Sequence, residues 1–446
     1  MTAALVTALL ALLTGAPLAM LLSPRHPEPR RRRRISEWQG SSHSEILRRA
    51  SPTQDDGLRL LAEAYLLGIA LQAATLFALS MCGVPWSCAN AVGAIVVVAV
   101  VAALVVVRRG GWTIARPAFT VIDALTLIVV AGYARFATVA SPTDADFIGI
   151  WGLKARVFDV ARGVDWTFLA QPYNVFAHLD YPLLVPLAYD FQALVAGVWI
   201  DRWAGALNVG CGLATLLIVR SFLGREMRPL FASIVTLALV PLACSPYIGL
   251  AEGALVAFGT TALLEARDGA IGRAAVFLGL AASCKNEGLA LIVAVAIALT
   301  VAGGARRVVR LWPAILIPLP WLIVSRAHGL HGDLTEGSVV ARVLQHLGDP
   351  MPIVSALAAH PPGRLLFRLG LALALVIGIR RVVGRERFLA AAILLQMLAF
   401  VAAYVVTPHD VSWHVQWSWE RLVMQLAVPL VFLAVVSMLD NHRELY

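Results

Sequence analysis

The sequence contains little charge for its length and almost no lysine. Charged residues make up 14% of the 446 residues, whereas hydrophobic residues make up 59%. This balance excludes a soluble globular enzyme, a disordered chain and a fibrous protein. Of the 36 basic residues only Lys154 and Lys285 are lysines, and the rest are arginines. The two lysines are either chance exceptions in an arginine-biased sequence or mark positions that require a compact ammonium group.

Cysteine is also scarce and shows no metal-binding pattern. The five cysteines are scattered, and none has the spacing of a zinc or haem site. Cys82 and Cys88 flank a short loop and could form a disulfide across it. The basic residues are not interleaved with aromatic ones in a separate domain, which argues against nucleic-acid binding.

Long apolar runs, by contrast, are abundant. They predict an all-α polytopic membrane protein, since a helix needs about 20 apolar residues to cross a bilayer. The runs are continuous rather than alternating, which argues against a β-barrel. The candidate segments are 2–22, 60–81, 89–107, 118–138, 183–200, 203–220, 230–246, 249–265, 272–284, 288–304, 311–325, 365–379, 388–406 and 421–438.

Arginine-rich connections predict the orientation of these segments. Arg-rich short loops stay in the cytoplasm, which places 23–59 with its run Arg30–Arg34, 108–117 and 380–387 inside. The connections 139–182, 326–364 and 407–420 then lie outside. No positive charge precedes segment 2–22, so we interpret it as an uncleaved helix with an outer N-terminus. An outer start and an inner end require an odd number of crossings, about 13. The pair 183–200 and 203–220 is suspected of containing the non-spanning segment.

The first outer loop is the richest in candidate chemistry. Asp144 and Asp146 follow an apolar helix directly, where carboxylates can act as a general base or as metal ligands. A solvated helix end is the alternative. Asp146, Ile150 and Lys154 share one helical face beside Trp151, which predicts an amphipathic helix along the membrane surface.

Charged residues also interrupt the apolar segments. Glu252 lies in one such interruption, and Lys285 and Glu287 lie in another. Ionisable groups at membrane depth are costly and suggest function, and we expect Glu252 to pair with Lys285. A buried structural pair is the alternative. In the last outer loop, Arg421 is predicted to open the final helix, where a bound phosphate would offset its unfavourable position at the helix N-terminus.

Together these elements resemble the GT-C superfamily of membrane glycosyltransferases, which includes protein mannosyltransferases and aminoarabinose transferases. The likeness rests on order and spacing over about 118–438. Residues 1–117 fall outside it and are interpreted as three added helices. The elements that carry the likeness are Asp146-x4-Trp151-x2-Lys154, His178-x-Asp180-Tyr181-Pro182-Leu183-Leu184, Lys285-x-Glu287-Gly288 and Ser418-x2-Arg421.

The resemblance implies an inverting transfer of a sugar from a polyprenyl-phosphate donor to an acceptor hydroxyl. Asp146 would be the base, with Asp144 in reserve. The donor phosphate would be held by Lys154, Lys285 and Arg421. The substrate pocket would be lined by Trp151, His178, Asp180, Tyr181, Glu252 and Glu287.

The resemblance further implies a site on the outer face of a bacterial-type cytoplasmic membrane, in cell-envelope glycan biosynthesis. The partners would be membrane lipid, the lipid-linked sugar and a glycan, lipid or protein acceptor. No cofactor is required, although a divalent metal stays open. The alternatives are a transporter or lipid flippase with Glu252, Lys285 and Glu287 as its polar pathway, and an inactive scaffold.

Overall fold

The protein is built from helices. The computed structural model describes residues 2–23, 56–109, 119–244, 247–332, 337–363 and 365–439. Within these ranges the chain contains no β-strand, which confirms the all-α prediction for the described residues. The run Arg30–Arg34 and Arg116, predicted to be cytoplasmic, lie outside them.

The described helices follow one another along the chain in two halves. The first half contains α1 (Thr2–Leu22), α2 (Asp56–Met81), α3 (Cys88–Arg108), α4 (Val121–Ala137), a π-helical turn (Phe147–Trp151), α5 (Gly152–Ala161), α6 (Trp166–Leu169), a 3₁₀ turn (Pro172–Ala177), α7 (Leu184–Ala196), α8 (Ala204–Glu226) and α9 (Pro229–Cys244). The second half contains α10 (Glu252–Arg267), α11 (Ile271–Ala282), α12 (Glu287–Val301), α13 (Trp312–Leu316), α14 (Leu319–Ala327), α15 (Val339–Gly348), α16 (Met351–Ala359), α17 (Leu365–Ile377), α18 (Ile379–Val383), α19 (Arg387–Val406), α20 (Val411–Met424) and α21 (Ala427–Ser437).

Several helices have the length and apolar composition of membrane spans. Five of those described are long and apolar enough to cross a membrane, and up to seven are if each of two bent pairs counts as one span. Five further apolar helices have only 10–17 residues. At about 1.5 Å per residue these are shorter than a hydrocarbon core of about 30 Å. The expected 13 crossings therefore stay a prediction.

Helices α1 and α2 pack in close antiparallel contact through small residues. A Cβ atom added at Gly68 would lie 1.9 Å from the carbonyl oxygen of Ala11, and one at Gly15 would lie 1.8 Å from that of Ala64. Such approach is typical of apolar helices that associate by backbone packing. Gln72 adds a hydrogen bond from its Nε2 to the carbonyl oxygen of Thr7 (3.1 Å).

Charged residues join the helices at one end of the bundle. Arg267, at the end of α10, donates hydrogen bonds to Glu226 at the end of α8 (2.8 Å) and to Glu386 just before α19 (2.6 Å). Arg273, near the start of α11, donates to Glu63 in the second turn of α2 (3.1 Å). We call this end, marked by Arg267 and Arg273, the arginine end. It includes Glu386, which lies in the connection 380–387 that the sequence assigns to the cytoplasm.

Two predicted loops contain helices. The segment 326–364 includes α15 and α16, and the segment 407–420 is helical from Val411 onward. Asp410 caps α20 by accepting a hydrogen bond from the backbone N–H of Trp413 (2.8 Å). Arg421 therefore lies in the last turn of α20 and does not open a helix, which corrects the prediction. A cation in a last turn is favoured by the helix dipole.

The close contact between α1 and α2 can be tested with two glycine substitutions. We expect Gly68→Ala to lower the thermal unfolding temperature in detergent, because the new methyl group would meet backbone atoms. Gly93→Ala is the control, since a Cβ atom there has nothing within 4 Å and alanine favours a helix by about 1 kcal/mol over glycine. Equal unfolding temperatures for the two variants would contradict this packing.

Candidate functional site

A chain of alternating charges lies at the end of the bundle opposite the arginine end. Asp146 Oδ2 accepts a hydrogen bond from Arg421 Nη1 (2.5 Å), and the same nitrogen lies 4.0 Å from Glu252 Oε1. Glu252 Oε1 is 3.1 Å from Lys285 Nζ, which is 2.7 Å from Glu287 Oε1. These five residues form the charge chain. The expected pairing of Glu252 with Lys285 is confirmed.

The start of α10 is held in place by a buried amide. Asn208 Nδ2 donates to the carbonyl oxygen of Leu250 (2.8 Å), and Asn208 Oδ1 accepts from the backbone N–H of Gly249 (2.8 Å). Gly249 has φ +83°, and a Cβ atom there would lie 2.8 Å from the Phe147 ring. The turn thus places Glu252 as the first residue of α10, where a carboxylate is favoured by the helix dipole.

The second charged interruption, which contains Lys285 and Glu287, also places a glutamate at the start of a helix. Glu287 is the first residue of α12, and Lys285 lies in the turn that joins α11 to α12. Glu252 is fully buried and Lys285 is 5% exposed. A buried charge is tolerated only when it is paired, and each of these two residues has a second oppositely charged neighbour, Arg421 for Glu252 and Glu287 for Lys285.

The two acids of the first outer loop have different surroundings. Asp144 is exposed, and its Oδ1 accepts a hydrogen bond from the backbone N–H of Asp146 (2.9 Å). The side chain of Asp146 is 27% exposed and belongs to the charge chain. Its other oxygen, Oδ1, makes no hydrogen bond to another described residue. Asp146 therefore faces the charge chain, and Asp144 supports the turn that leads to it.

Lys154 is buried away from the charge chain. Its Nζ donates to the carbonyl oxygen of His178 (2.5 Å) and lies over the rings of Trp151 (5.9 Å) and Tyr181 (5.7 Å). His178 has the left-handed φ of 47°, so this bond steadies a strained turn. Lys154 and Trp151 are both 0% exposed. The two residues therefore do not anchor a surface helix as expected, because both are enclosed by the protein. The assignment of Lys154 to the donor phosphate stays a prediction.

An aromatic stack connects Lys154 to Lys285. The Tyr181 ring stacks on His178 (4.6 Å between centroids) and on Trp151 (5.5 Å), and Lys285 Nζ lies 6.0 Å from its centroid. Both lysines of the chain thus contact the same ring. These are cation–π distances, at which an ammonium is stabilised by the ring face.

Asp180 lies beside the charge chain and links three parts of the fold. Its Oδ2 accepts a hydrogen bond from Asn286 Nδ2 (3.0 Å), and its carbonyl oxygen accepts from Trp321 Nε1 (3.0 Å). Asn286 stands between Lys285 and Glu287 in the sequence, so the turn that carries the cation also orients this carboxylate.

All eleven site residues predicted from the sequence form one connected set through these contacts. Sequence reasoning missed Asn208, Tyr247, Asn286 and Trp321. Asn286 could have been found from its place between two charged residues. Asn208 and Trp321 lie within apolar helices, and no local pattern distinguishes them from core residues.

Several buried polar atoms at the site lack a hydrogen bond among the described residues. They are Trp151 Nε1, Asp180 Oδ1, Tyr247 Oη and Glu252 Oε2. Buried polar groups are nearly always paired, so these atoms can accept or donate hydrogen bonds to a ligand that carries several hydroxyl groups. A set of donors and acceptors around a charged centre suits a sugar phosphate better than an apolar ligand.

The described residues contain no group of three or more His, Cys, Asp or Glu side chains that could hold a metal ion. Comparison with protein-family models, curated proteins and solved structures gives no match.

The environment of Lys154 predicts a pH-dependent contribution to stability. Burial lowers the pKa of Lys154 to about 7, although Asp180 opposes the shift. At pH values between this pKa and the ordinary lysine pKa, Lys154 is protonated in the unfolded chain but not in the folded chain. Stability therefore rises with pH across this window relative to a variant without the amine.

We expect the unfolding temperature of the wild type to increase relative to that of Lys154→Met as the pH is raised from 7 to 10. Thermal unfolding of the two detergent-solubilised proteins, measured in parallel at each pH, checks this. A difference that stays constant across the range would show that Lys154 does not titrate there.

Proposed function

We propose that the protein is an inverting membrane glycosyltransferase that uses a polyprenyl-phosphate sugar donor. The observation that carries the proposal is the contact between Asp146 and Arg421 at the head of the charge chain. It places a carboxylate with one open oxygen beside a guanidinium suited to phosphate. The buried unpaired polar atoms around it support a polyhydroxylated ligand.

The proposed reaction is a single displacement. Asp146 Oδ1 accepts the proton of the acceptor hydroxyl, and the oxygen attacks the anomeric carbon of the sugar. The bond between that carbon and the phosphate oxygen breaks, and the polyprenyl phosphate leaves with the electron pair. Because one displacement occurs at the anomeric carbon, its configuration inverts.

Arg421 and Lys285 are proposed to stabilise the departing phosphate. Negative charge develops on the phosphate oxygens as the bond breaks, and fixed cations nearby lower the energy of that state. Arg421 is 30% exposed and is thus accessible to a ligand. Lys285 is paired with Glu252 and Glu287. It is linked to Arg421 through Glu252, whose Oε1 lies near both cations. The geometry favours Lys154 as a positioning residue for the His178 turn. The proposed reaction requires no cofactor and leaves a divalent metal open.

We further propose that the chain crosses the bilayer 13 times and that α7 does not cross. The backbone N–H of Leu184 bonds to the carbonyl oxygen of Ser283 in the site turn (3.2 Å). After α7 the chain returns to the same end, where Gly205 packs against the end of α4 at Ala137. The start of α7 and the start of α8 thus lie at the same end of the bundle, which supports an odd number of crossings.

The site is proposed to face the outside of a bacterial-type cytoplasmic membrane, where lipid-linked sugars would serve cell-envelope glycan biosynthesis. The acceptor class covers glycan, lipid and protein hydroxyls. Membrane lipid is the expected surrounding, and nucleic acid is not an expected partner.

A transporter or lipid flippase is the alternative, with Glu252, Lys285 and Glu287 as the polar pathway. A cavity of about 20 Å³ lined in part by Glu287 favours this reading. Its other polar lining residues are Thr260, Gln396 and Gln425, but most of its lining is apolar and it holds only about one water. Substrate flux without formation of a glycosidic bond would identify a transporter.

The base assignment predicts a specific loss of activity. We expect Asp146→Asn to lower sugar transfer from labelled polyprenyl-phosphate sugars in membranes by about 10²- to 10⁴-fold, since the amide cannot accept the proton. Asp144→Asn is the matched control and should retain far more activity, because Asp144 lies outside the charge chain. Normal insertion of both variants is verified by detergent extraction. Unchanged transfer by Asp146→Asn would refute the assignment.

The orientation can be tested with the native cysteines. Cys82 and Cys88 are exposed and free, whereas Cys211, Cys244 and Cys284 are buried. The turn that carries the exposed pair lies at the site end, because the backbone N–H of Trp86 bonds to the carbonyl oxygen of Arg162 (2.9 Å).

We expect a membrane-impermeant maleimide to label intact cells through Cys82 and Cys88 without prior reduction. The double variant Cys82→Ser/Cys88→Ser should stay unlabelled, because the remaining thiols are buried. Labelling only after permeabilisation would place the site in the cytoplasm. Labelling only after reduction would show that Cys82 and Cys88 form the disulfide predicted from the sequence.

A further inference from the structure

Helix α15 directs two polar side chains, Arg342 and His346, towards the protein. Arg342 Nε donates to the carbonyl oxygen of Val406 (2.8 Å), and His346 Nδ1 donates to that of Val405 (2.9 Å). These carbonyls belong to the last turn of α19, where no further helical N–H can reach them. The polar face of α15 thus supplies hydrogen-bond donors for two carbonyl groups at the end of α19.

The apolar residues of α15 point away from the protein. Val340, Leu344 and Leu347 are spaced along one helical stripe and are 69%, 68% and 63% exposed. A surface helix of a soluble protein has the reverse arrangement, with its apolar stripe against the core. Because the polar face already has its partners, rotation of the helix to bury this stripe would break both bonds to α19.

A third face of α15 carries small and polar residues. With 3.6 residues per turn, neighbouring side chains project about 100° apart. Gln345 therefore points well away from Leu344, and both are exposed. The helix thus has one face for the protein, one apolar face and one face suited to water.

The position of α15 identifies the apolar surrounding. Helix α19 is long and apolar enough to cross a membrane, and α15 is bonded to its site-end terminus. Helix α16 follows α15 directly, exposes Met351 and packs against α20. Trp413 and Trp417 of α20 are 52% and 64% exposed, one turn apart. Exposed tryptophans at the end of a span are typical of the membrane–water interface.

We infer that α15 is an interfacial helix embedded in the bilayer leaflet at the site end, with Val340, Leu344 and Leu347 in contact with lipid acyl chains. Its polar face remains bonded to α19, and its Gln345 face contacts water. The next helix, α16, packs against α20, which carries Arg421. The inference does not depend on the proposed transferase activity.

The inference can be tested by nitroxide labelling in a Cys82→Ser/Cys88→Ser background, reconstituted into phosphatidylcholine liposomes. Leu344→Cys and Val340→Cys place the label on the apolar stripe, and Gln345→Cys is the matched control on the adjacent face. We expect labels at 344 and 340 to collide more with oxygen, which concentrates in acyl chains, and less with a water-soluble nickel complex than the label at 345.

Two outcomes would overturn the inference. Equal nickel access at 344 and 345 would show that the stripe faces water. Protection of 344 from both oxygen and nickel, increasing with the ratio of protein to lipid, would show that a second copy of the chain covers it. The measurement requires no catalytic turnover, so a failed transfer assay leaves its result unaffected. Because 340 and 344 are labelled separately, misfolding of one variant does not prevent the test.

Discussion

The pairing of buried charges is the constraint on which the structure depends. An isolated charge within an apolar bundle is strongly unfavourable, and its removal from water is offset only by a close partner. Glu252 and Lys285 satisfy this requirement with each other, and Arg421 extends the same chain to Asp146. The turns between α9 and α10 and between α11 and α12 must therefore meet. The helices between them have little freedom to shift along their axes.

The two ends of the bundle use charge differently. At the arginine end each guanidinium group is shared among carboxylates and each carboxylate among guanidinium groups. Arg267 bonds to both Glu226 and Glu386, and Glu226 also accepts from Arg381. At the site end the charges form a line whose outer members, Asp146 and Arg421, remain partly exposed. The closed network at the arginine end joins helix ends to one another. At the site end, Asp146 or Arg421 can exchange its partner within the protein for a ligand, because both are partly exposed.

Much of the helical architecture is predictable from the sequence, because continuous apolar runs such as 60–81 and 388–406 have a single stable form in lipid. The members of the site are also predictable, since Glu252 and Lys285 interrupt apolar runs where charge needs an explanation. The helix α20 is not, because its tryptophans, histidine and glutamine resemble a polar loop until Val411, Val415 and Trp419 are seen on one buried face. The enclosure of Lys154 likewise depends on the distant Tyr181 and His178.

The bend between α20 and α21 has a mechanical consequence for the site. The two helices differ in direction by 46° at a break that follows Met424, and Arg421 lies one turn before it. The guanidinium that bonds to Asp146 thus lies close to the break, and its position depends on the angle between the two helices. A small change in the bend would move Arg421 along the carboxylate, and the strength of their contact would then report the angle between α20 and α21.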